Sequence, residues 1–425
     1  MRDYDGRSCV AKRAIRMFSR TLLPHRVLVL AGWRCQTERL ATGTVLPCSI
    51  RRVVRVYRYR LYPSAAQAVA LDRLLFLLRA LYNACIQERR DAWQKQHVSV
   101  TKRAQDAQLR AVRDADSDYA GIHFHLLQDM VLRCDRAFQA FFRRVKRGET
   151  PGFPRFKGRD FFRSFTFQDA AGGRGAKLVA GGKRLRIHGI GGVKIKLHRE
   201  HGGLLKQIRV ARLGDGHWYA DLVCADVSPK PLPLVASEVG VDLGIKTFAA
   251  MSDGTMVENP RHAAAAAVTL ASAQQRLARR GKRSHRRRKA RQIVAKHHLR
   301  VARQRLDFQH KTALDLLRRY QTIYVEDLNV RGLAAGMLAK QVNDVAWGQF
   351  IDILMSKAES AGREVVKVDP RGTSQRCSAC DLVVPKDLSV RVHRCSCGYE
   401  ADRDLNAARN IIRLGQSLRD ARHVA

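Results

Sequence analysis

The sequence predicts an α/β protein that also contains a small antiparallel sheet or β-barrel. Short runs of alternating apolar and basic residues follow one another closely, as antiparallel strands do (184–188, 192–197, 206–211 and 218–225). Further along the chain, apolar runs that end in acidic residues are separated by helical patterns, which is typical of an α/β sheet. Between these two regions, the Pro-rich stretch Ser228–Leu234 predicts a joint between domains.

The organised part of the chain begins after a basic extension. Residues 1–52 show no regular pattern, and we expect them either to be disordered or to reflect a start site chosen too far upstream. Alternation in Arg55–Ser64 predicts a strand that turns into a helix, and leucines at helical spacing continue through Ala65–Gln96. A second helix is predicted over 123–146. With the sheet that follows, these elements form a predicted N-terminal domain over 53–234.

A loop rich in both aromatic and basic residues follows the second helix. Gly148–Gln168 contains six phenylalanines among Lys and Arg and is broken by Pro and Gly. Such interleaving suits contact with phosphates and stacking on bases. Phenylalanines that pack beneath the loop are the equally weighted alternative.

The net charge is the strongest signal in the composition. The 425 residues include 79 Lys and Arg but 38 Asp and Glu, which leaves a net charge of +41. Solubility needs only a single-digit surplus, so this one indicates a polyanionic partner, and nucleic acid is the obvious one. A duplex of about 20 base pairs carries roughly 40 phosphates. A basic structural protein of the ribosomal type is the alternative on charge alone.

Cysteine usage and hydropathy predict a cytoplasmic protein with no membrane partner. No stretch reaches the roughly 18 apolar residues that a membrane span needs, and Val27–Gly32 is too short for a secretory core. Six cysteines stand singly, as expected of reduced thiols rather than of a disulfide framework: Cys9, Cys35, Cys48, Cys85, Cys134 and Cys224.

Asp242 is the first of three acids on regular elements. Val239, Val241, Leu243 and Ile245 alternate around it, which predicts a strand. An ionised carboxylate inside a strand is costly unless something neutralises it, and a divalent cation does so well. An exposed strand acid is the alternative.

Two further segments place acids in a similar setting. In Gln321–Val330, an apolar run leads directly into Glu326 and Asp327, and neighbours on a strand face opposite ways, so at most one of them reaches a shared site. Asp402 and Asp404 stand at a predicted helix start, where either could be a cap. The residues alone do not choose between these two.

Acids on three separate elements of an α/β domain form the pattern that two-metal phosphodiester cleavage requires. Two Mg²⁺ ions about 4 Å apart polarise the phosphate, lower the pKa of the attacking water and hold the leaving oxygen. Mg²⁺ takes hard oxygen ligands, which explains why carboxylates rather than thiols would form such a site.

Four clustered cysteines predict a structural zinc ribbon at 371–400. They form one C-x₂-C pair and one C-x-C pair with 14 residues between the pairs. Four protein ligands leave no position for a substrate, so the role is structural. His393 is an alternative to one of the thiols. The candidate ligands are Cys377, Cys380, Cys395 and Cys397.

The most basic segment lies between the first two acids. Residues 276–305 contain 14 Lys and Arg and no acid, and they predict a helical hairpin kinked at Gly281–Ser284. A solvated face usually explains a charge run. So many like charges without a counter-ion favour a groove for the phosphate backbone instead. The candidate phosphate contacts are Arg276, Arg279, Arg280, Lys282, Arg283, Arg286, Arg287 and Arg288.

Six stretches together resemble the TnpB (OrfB-type) proteins of bacterial insertion sequences, relatives of the type V CRISPR effectors. They are YRYRLYPSAAQ, GFPRFKGR, GVDLGIKTFAA, YVEDLNVRGL, GREVVKVDPRGTSQRCSAC and CGYEADRDLNAARNI, in the family's order. The resemblance covers about residues 53–415. It implies an RNA-guided DNA endonuclease whose partners are a guide RNA and target DNA.

The resemblance also implies a domain arrangement. A RuvC-like (RNase H-type) nuclease domain would occupy 235–425, with a basic helical insertion at 262–319 and the zinc ribbon. A recognition domain, built from a β-barrel with inserted helices, would precede it. Asp404 is preferred over Asp402 because the family's acid precedes x-Asn-Ala. Two Mg²⁺ ions would then be held by the catalytic acids Asp242, Glu326 and Asp404.

The chain departs from the family pattern at the ribbon. Asp381 stands where the family usually has Gly, and the second cysteine pair is shortened. Some relatives have lost catalytic acids and act as RNA-guided repressors. Because all three acids are present here, we predict an active nuclease. A transposase acting directly in DNA strand transfer and a non-catalytic zinc-ribbon nucleic-acid-binding protein remain the alternatives. The oligomeric state is left open.

Overall fold

The computed structural model describes residues 53–387 and 389–424, so the predicted extension 1–52 lies outside them. Contacts divide the chain into two compact units. The N-terminal unit runs to Pro229 and includes Ala266–Ala302, and the C-terminal unit comprises Lys230–Ala265 with Arg303–Ala425. The predicted helical insertion is therefore divided between the two units.

Seven strands of the N-terminal unit form one antiparallel sheet in the order β2-β6-β7-β1-β5-β4-β3. The sequence-predicted alternation is seen directly, since every second residue of β4 is buried. The edge strands β2 and β3 are four residues long and do not pair with each other, so the predicted barrel is an open sheet in its hydrogen bonding. The strands are β1 (Val53–Tyr62), β2 (Ser164–Phe167), β3 (Ala176–Val179), β4 (Arg184–Ile187), β5 (Gly191–Lys196), β6 (Leu204–Arg212) and β7 (Trp218–Val227).

Helices α1 (Ala65–Gln96) and α4 (Phe124–Lys146) pack on this sheet and share one apolar core with it, with α2 (Lys102–Ala115) and the single turn α3 (Ser117–Ala120) between them. The start of α1 is fixed locally by a capping box. The Gln67 N–H donates to Ser64 Oγ at 3.2 Å and the Ser64 N–H donates to Gln67 Oε1 at 3.1 Å. The predicted bounds of α1 are confirmed.

The C-terminal unit contains a mixed sheet in the order β10-β9-β8-β11-β12. Its centre is parallel, because β8 and β12 both run parallel to β11. The strand β9 runs antiparallel to both of its neighbours, β8 and β10. The strands are β8 (Glu238–Asp242), β9 (Thr247–Met251), β10 (Met256–Glu258), β11 (Thr322–Glu326) and β12 (Glu364–Val368). A two-stranded ribbon follows, made of β13 (Val392–Arg394) and β14 (Glu400–Asp402).

Seven further helices complete the described part of the chain, and none of the described helices is both long and apolar enough to cross a bilayer. The predicted basic hairpin is present as α6 and α7 with a turn at 279–284. The helices are α5 (His262–Ala265), α6 (Ala267–Ala278), α7 (His285–Arg319), α8 (Val330–Leu333), α9 (Ala339–Val345), α10 (Trp347–Ala361) and α11 (Arg403–Val424).

Glycines let α11 lie directly on the mixed sheet. A Cβ at Gly240 of β8 would lie 2.2 Å from the carbonyl oxygen of Ala408, and one at Gly415 of α11 would lie 2.0 Å from the ring of Tyr324 in β11. Neither separation is possible, so only glycine allows this approach. As a result, α11 is pinned against the two strands that end in acids.

Candidate catalytic site and zinc ribbon

Asp242 and Glu326 end two neighbouring parallel strands at the same edge of the sheet. Val241 of β8 pairs with Val325 of β11, so the next residue on each strand is one of these acids. Apolar burial holds both strands, since Val239, Val241 and Val325 are fully buried. Parallel strands therefore bring together two carboxylates that are 84 residues apart in the sequence.

Of the two acids at the end of β11, Glu326 points inward. It is 7% exposed, and its Oε1 accepts a hydrogen bond from the Thr373 hydroxyl at 2.6 Å. The neighbouring Asp327 is exposed and lies 2.9 Å from Lys367 Nζ. The alternation of side chains along a strand separates the two residues.

Asp402 and Asp404 also differ in their surroundings. Asp402 is exposed, and its Oδ1 accepts a hydrogen bond from the Asp404 N–H at 2.8 Å, which makes it the cap of α11. The Asp404 side chain is half-buried, and its Oδ2 is 3.8 Å from where a Cβ on Gly244 would lie, just beyond the end of β8. The helix that packs on Gly240 thus places Asp404 beside the edge of the sheet where Asp242 lies.

Burial raises the pKa of all three carboxyl groups. For Asp242 the pKa lies well above the usual range, with burial of the carboxyl the largest cause and the charges of Glu326 and Asp404 next. The pKa of Glu326 is raised by burial, against the Thr373 hydrogen bond that lowers it. The pKa of Asp404 is raised by burial and by Asp402. The site therefore concentrates negative charge where water solvates it poorly.

The four thiols are gathered more tightly than the acids. Their sulfur atoms all lie within 4.8 Å of one another. Among the described residues, no other group of three or more His, Cys, Asp or Glu side chains brings its ligand atoms this close together. Tetrahedral zinc needs four ligands at one point, which suits the thiols. Carboxylates that serve two ions about 4 Å apart need not converge on one point.

The cysteines pair across the two halves of the ribbon. The sulfur of Cys377 is 3.8 Å from that of Cys397, and the sulfur of Cys380 is 3.5 Å from that of Cys395. Hydrogen bonds led by the Cys397 N–H lower the pKa of Cys395 to about 7. Against a hydrogen bond from the Leu382 N–H, burial and the other thiols raise the pKa of Cys380 in the same cluster to about 12. His393 is fully buried on β13 and is not part of the compact group.

Asp381 takes the conformation that the family's usual Gly would adopt freely. Its φ is +67°, in the left-handed region, where Asp is one of the few other residues tolerated. Its carboxylate lies 2.6 Å from an Arg413 guanidinium nitrogen and 3.6 Å from one of Arg376. The departure from the family pattern thus keeps the backbone turn and adds ion pairs.

The predicted phosphate contacts lie at the α6–α7 turn, and one of them has a structural role. Arg287 Nη1 donates to the carbonyl oxygens of Leu277 and Arg280, each at 2.8 Å, and so closes the turn. The other seven are exposed: Arg276, Arg279, Arg280, Lys282, Arg283, Arg286 and Arg288.

A basic cavity of about 730 Å³ adjoins this turn within the N-terminal unit. Eight Lys and Arg line it against two acids, Asp72 and Asp160. Both acids are already paired, Asp72 with Arg212 and Asp160 with Arg291, each at 2.5 Å. Most of the cationic charge is therefore left for an anionic ligand. The sequence predicted phosphate contact for the loop at 148–168, which supplies Arg159 and Arg163, but it did not single out Arg212 of β6.

The six phenylalanines of the loop at 148–168 divide between the two predicted roles, packing beneath the loop and exposure for base stacking. Three are buried in the core of the N-terminal unit, Phe162, Phe165 and Phe167. The other three are between 46% and 66% exposed, Phe153, Phe156 and Phe161.

Three stretches of the chain match models of known protein families. The matches are "Helix-turn-helix domain" at 53–97, "Probable transposase" at 222–336 and "Cas12f1-like, TNB domain" at 347–411. Over the first of these, the structure has β1 and α1 rather than two helices.

Two relatives match over most of their length. The "Putative RNA-guided DNA endonuclease" of Streptomyces pristinaespiralis is 33% identical over 376 residues, which is 86% of this chain and 90% of the relative. The "Putative RNA-guided DNA endonuclease InsQ" of Escherichia coli (strain K12) is 28% identical over 310 residues, 69% of this chain and 74% of the relative. The protein in the "Cryo-EM structure of the Cas12f1-sgRNA-target DNA complex" shares the fold, with a TM-score of 0.53 at 12% identity over 85% of this chain and 98% of that one.

Together, the acid-bearing sheet, the four-thiol ribbon and the basic N-terminal unit define the class of compact transposon proteins related to Cas12f effectors. Within that class, the chain belongs to the TnpB (OrfB-type) family.

Proposed function

We propose that this chain is a transposon-associated, RNA-guided DNA endonuclease with a RuvC-like (RNase H-type) nuclease domain. Asp242, Glu326 and Asp404 are its catalytic carboxylates. The observation that carries the proposal is the placement of three carboxylates, from β8, β11 and α11, at one edge of the sheet. Burial raises the pKa of each of them there, and titratable groups perturbed in this way are typical of functional sites. The names of the two relatives support the same activity.

Two Mg²⁺ ions are the cofactor that this donor set suits. Desolvated carboxylates without a counter-ion carry an energetic cost, which a divalent cation bound through hard oxygen ligands offsets. When bound, Mg²⁺ supplies Lewis-acid polarisation of the phosphate and acidifies the attacking water.

The chain's own residues hold the three carboxylates in place. β8 and β11 fix the backbone positions of Asp242 and Glu326 through their pairing, and Thr373 fixes the Glu326 carboxylate. Asp402 caps α11 and leaves the Asp404 side chain free to take part in the site. Cationic groups moderate the repulsion, since Arg403 lowers the pKa of Asp242.

The guide RNA and the target DNA are the proposed polyanions. The net charge of +41 and the basic cavity of the N-terminal unit both favour phosphate backbones. Exposed phenylalanines in the loop at 148–168 add stacking surfaces for unpaired bases. We therefore assign recognition to 53–234, together with the basic turn at 279–284.

Zinc is the proposed ligand of the four thiols, with a structural role. Four sulfur atoms within 4.8 Å of one another suit tetrahedral zinc and leave no open position.

Sequencing of copurified RNA tests the proposal. The chain is expressed with its native flanking DNA, purified, and its bound RNA is sequenced. A single RNA species of defined length, whose variable end directs Mg²⁺-dependent cleavage of matching DNA, is the expected result. Cleavage or joining of the transposon's DNA ends without any RNA would instead favour a transposase that acts directly in DNA strand transfer. Bound RNA with no cleavage of matched DNA would favour an RNA-guided repressor.

A further inference from the structure

Thr373 connects the segment that leads into the zinc ribbon to one of the three acids. Its hydroxyl donates to Glu326 Oε1 at 2.6 Å and lies 3.0 Å from the carbonyl oxygen of Pro370. Thr373 is 3% exposed and Glu326 is 7% exposed, so bulk water does not replace this bond. A hydroxyl has a single proton, and an ionised carboxylate is its stronger acceptor.

Two buried asparagines of α11 hold the same segment from the other side. Asn410 Nδ2 donates to the carbonyl oxygens of Thr373 at 2.8 Å and Arg376 at 2.7 Å. Asn406 Nδ2 donates to the Arg376 carbonyl at 2.8 Å, and its Oδ1 accepts from the Ser378 N–H at 2.9 Å. Both asparagines are at most 1% exposed.

These bonds join three elements into one network. Asn406 and Asn410 lie on the helix that carries Asp404, Ser378 lies between the first two cysteines, and Thr373 reaches Glu326. The strand β11 fixes the backbone of Glu326 but not its side-chain torsions. Selection of one orientation for this carboxylate therefore falls to the hydroxyl of Thr373.

We propose that Thr373 is a positioning residue for Glu326, and that Asn406 and Asn410 make this position depend on the zinc ribbon. A ribbon folded around zinc fixes the backbone at 373–378 and so fixes the donor to Glu326. Loss of zinc frees that backbone and with it the orientation of the carboxylate. This explains why a thiol cluster stands directly before the helix of Asp404. The inference rests on the proposed function only in naming a divalent cation as the ligand of Glu326.

The test compares three variants of the full-length protein with its bound RNA. Thr373→Val removes the hydroxyl at nearly constant volume, and Thr373→Ser keeps it. Thr322→Val is the matched control, because Thr322 is also buried, at 5% exposed, and begins the strand that Glu326 ends. Three quantities are measured: zinc per chain, the affinity for Mn²⁺ by titration calorimetry, and the cleavage rate at saturating Mg²⁺.

Thr373→Val is expected to keep one zinc per chain while Mn²⁺ affinity and cleavage rate fall by about 10- to 100-fold, the usual effect of removing a hydrogen-bond partner of a metal ligand. Thr373→Ser keeps the hydroxyl and should stay near the wild type in both quantities, and Thr322→Val should match the wild type. Mn²⁺ affinity and cleavage unchanged in Thr373→Val would overturn the proposal, as would an equal loss in Thr373→Ser. If the wild type never cleaves DNA but still binds Mn²⁺ more tightly than Thr373→Val does, the proposed nuclease activity is refuted and the positioning role of Thr373 stands.

Discussion

The backbone N–H of Asp404 donates a hydrogen bond to Oδ1 of Asp402 at 2.8 Å, so Asp402 is the cap of α11 and the side chain of Asp404 is not needed for it. We expect Asp404→Asn to reduce the cleavage rate by about 100-fold or more. Mutation of a residue that only hydrogen-bonds to a metal ligand already lowers metal affinity or activity by about 10- to 100-fold. Asp402→Asn keeps an oxygen that can cap the helix, so cleavage should stay near the wild-type rate. The measurement is single-turnover cleavage of a matched DNA by each variant with its guide RNA. Equal losses in both variants would contradict the division of roles.

The raised pKa of Asp242 predicts that this acid destabilises the protein when no divalent cation is added. Between the ordinary pKa of Asp and the raised pKa of Asp242, the folded state retains a proton that the unfolded chain releases. The loss of stability is therefore absent below the ordinary pKa and grows as the pH rises toward and through the raised pKa. We expect Asp242→Asn to raise the free energy of unfolding at pH 8, because the neutral amide does not carry the charge that burial penalises. The gain should vanish near pH 4.

Urea unfolding of both proteins across this pH range checks the prediction. The buffers contain neither Mg²⁺ nor a chelator, because a chelator would remove zinc. Glu258→Gln, a change at an acid on the edge strand β10, serves as the control for loss of one negative charge. A difference that grew toward acidic pH would contradict the assigned sign.

The arrangement of the four thiols predicts one zinc per chain with Cys₄ ligation. Cys377→Ser should lower both the zinc content and the thermal stability, because metal binding folds the ribbon. His393→Ala should keep the zinc, since His393 lies outside the compact thiol group. Metal analysis of the purified variants decides between Cys₄ and Cys₃His. Full zinc in Cys377→Ser together with loss in His393→Ala would reverse the assignment.

Arg287 and Arg288 are neighbours with different predicted effects. Arg288 is exposed and lines the basic cavity, so Arg288→Ala should weaken RNA binding and reduce the salt slope by about 1 while leaving stability unchanged. Arg287 donates to two carbonyl oxygens of the α6–α7 turn, so Arg287→Ala should lower thermal stability as well. RNA affinity across a salt series and a melting curve are measured for both. An unchanged salt slope in Arg288→Ala would remove this residue from the phosphate contacts.

Features with local causes could be predicted from the sequence. The start of α1 follows from the capping residues Ser64 and Gln67, whose hydrogen bonds span only three positions. The strand around Asp242 and the ribbon around Cys377 follow from alternation and spacing. Each of these patterns is complete within one short segment of the chain.

Features that depend on tertiary contacts could not be predicted. Which acid of each neighbouring pair enters the site depends on such contacts. Lys367 pairs with Asp327, and the packing of α11 on Gly240 places Asp404 beside the edge of the sheet. The bond from Thr373 to Glu326 joins residues 47 positions apart, and no periodic pattern marks it. The open form of the seven-stranded sheet likewise depends on the edge strands and not on the alternation within each strand.

Guide-programmed plasmid cleavage by the wild type and by Asp242→Ala tests the shared carboxylate site most directly. Both proteins are purified with their RNA and given a plasmid that carries the matching sequence, with and without Mg²⁺. We expect the wild type to cut the plasmid only with Mg²⁺, and Asp242→Ala to retain its RNA and leave the plasmid intact. Cleavage by Asp242→Ala at the wild-type rate would contradict the assignment of β8, β11 and α11 as the elements of the catalytic site.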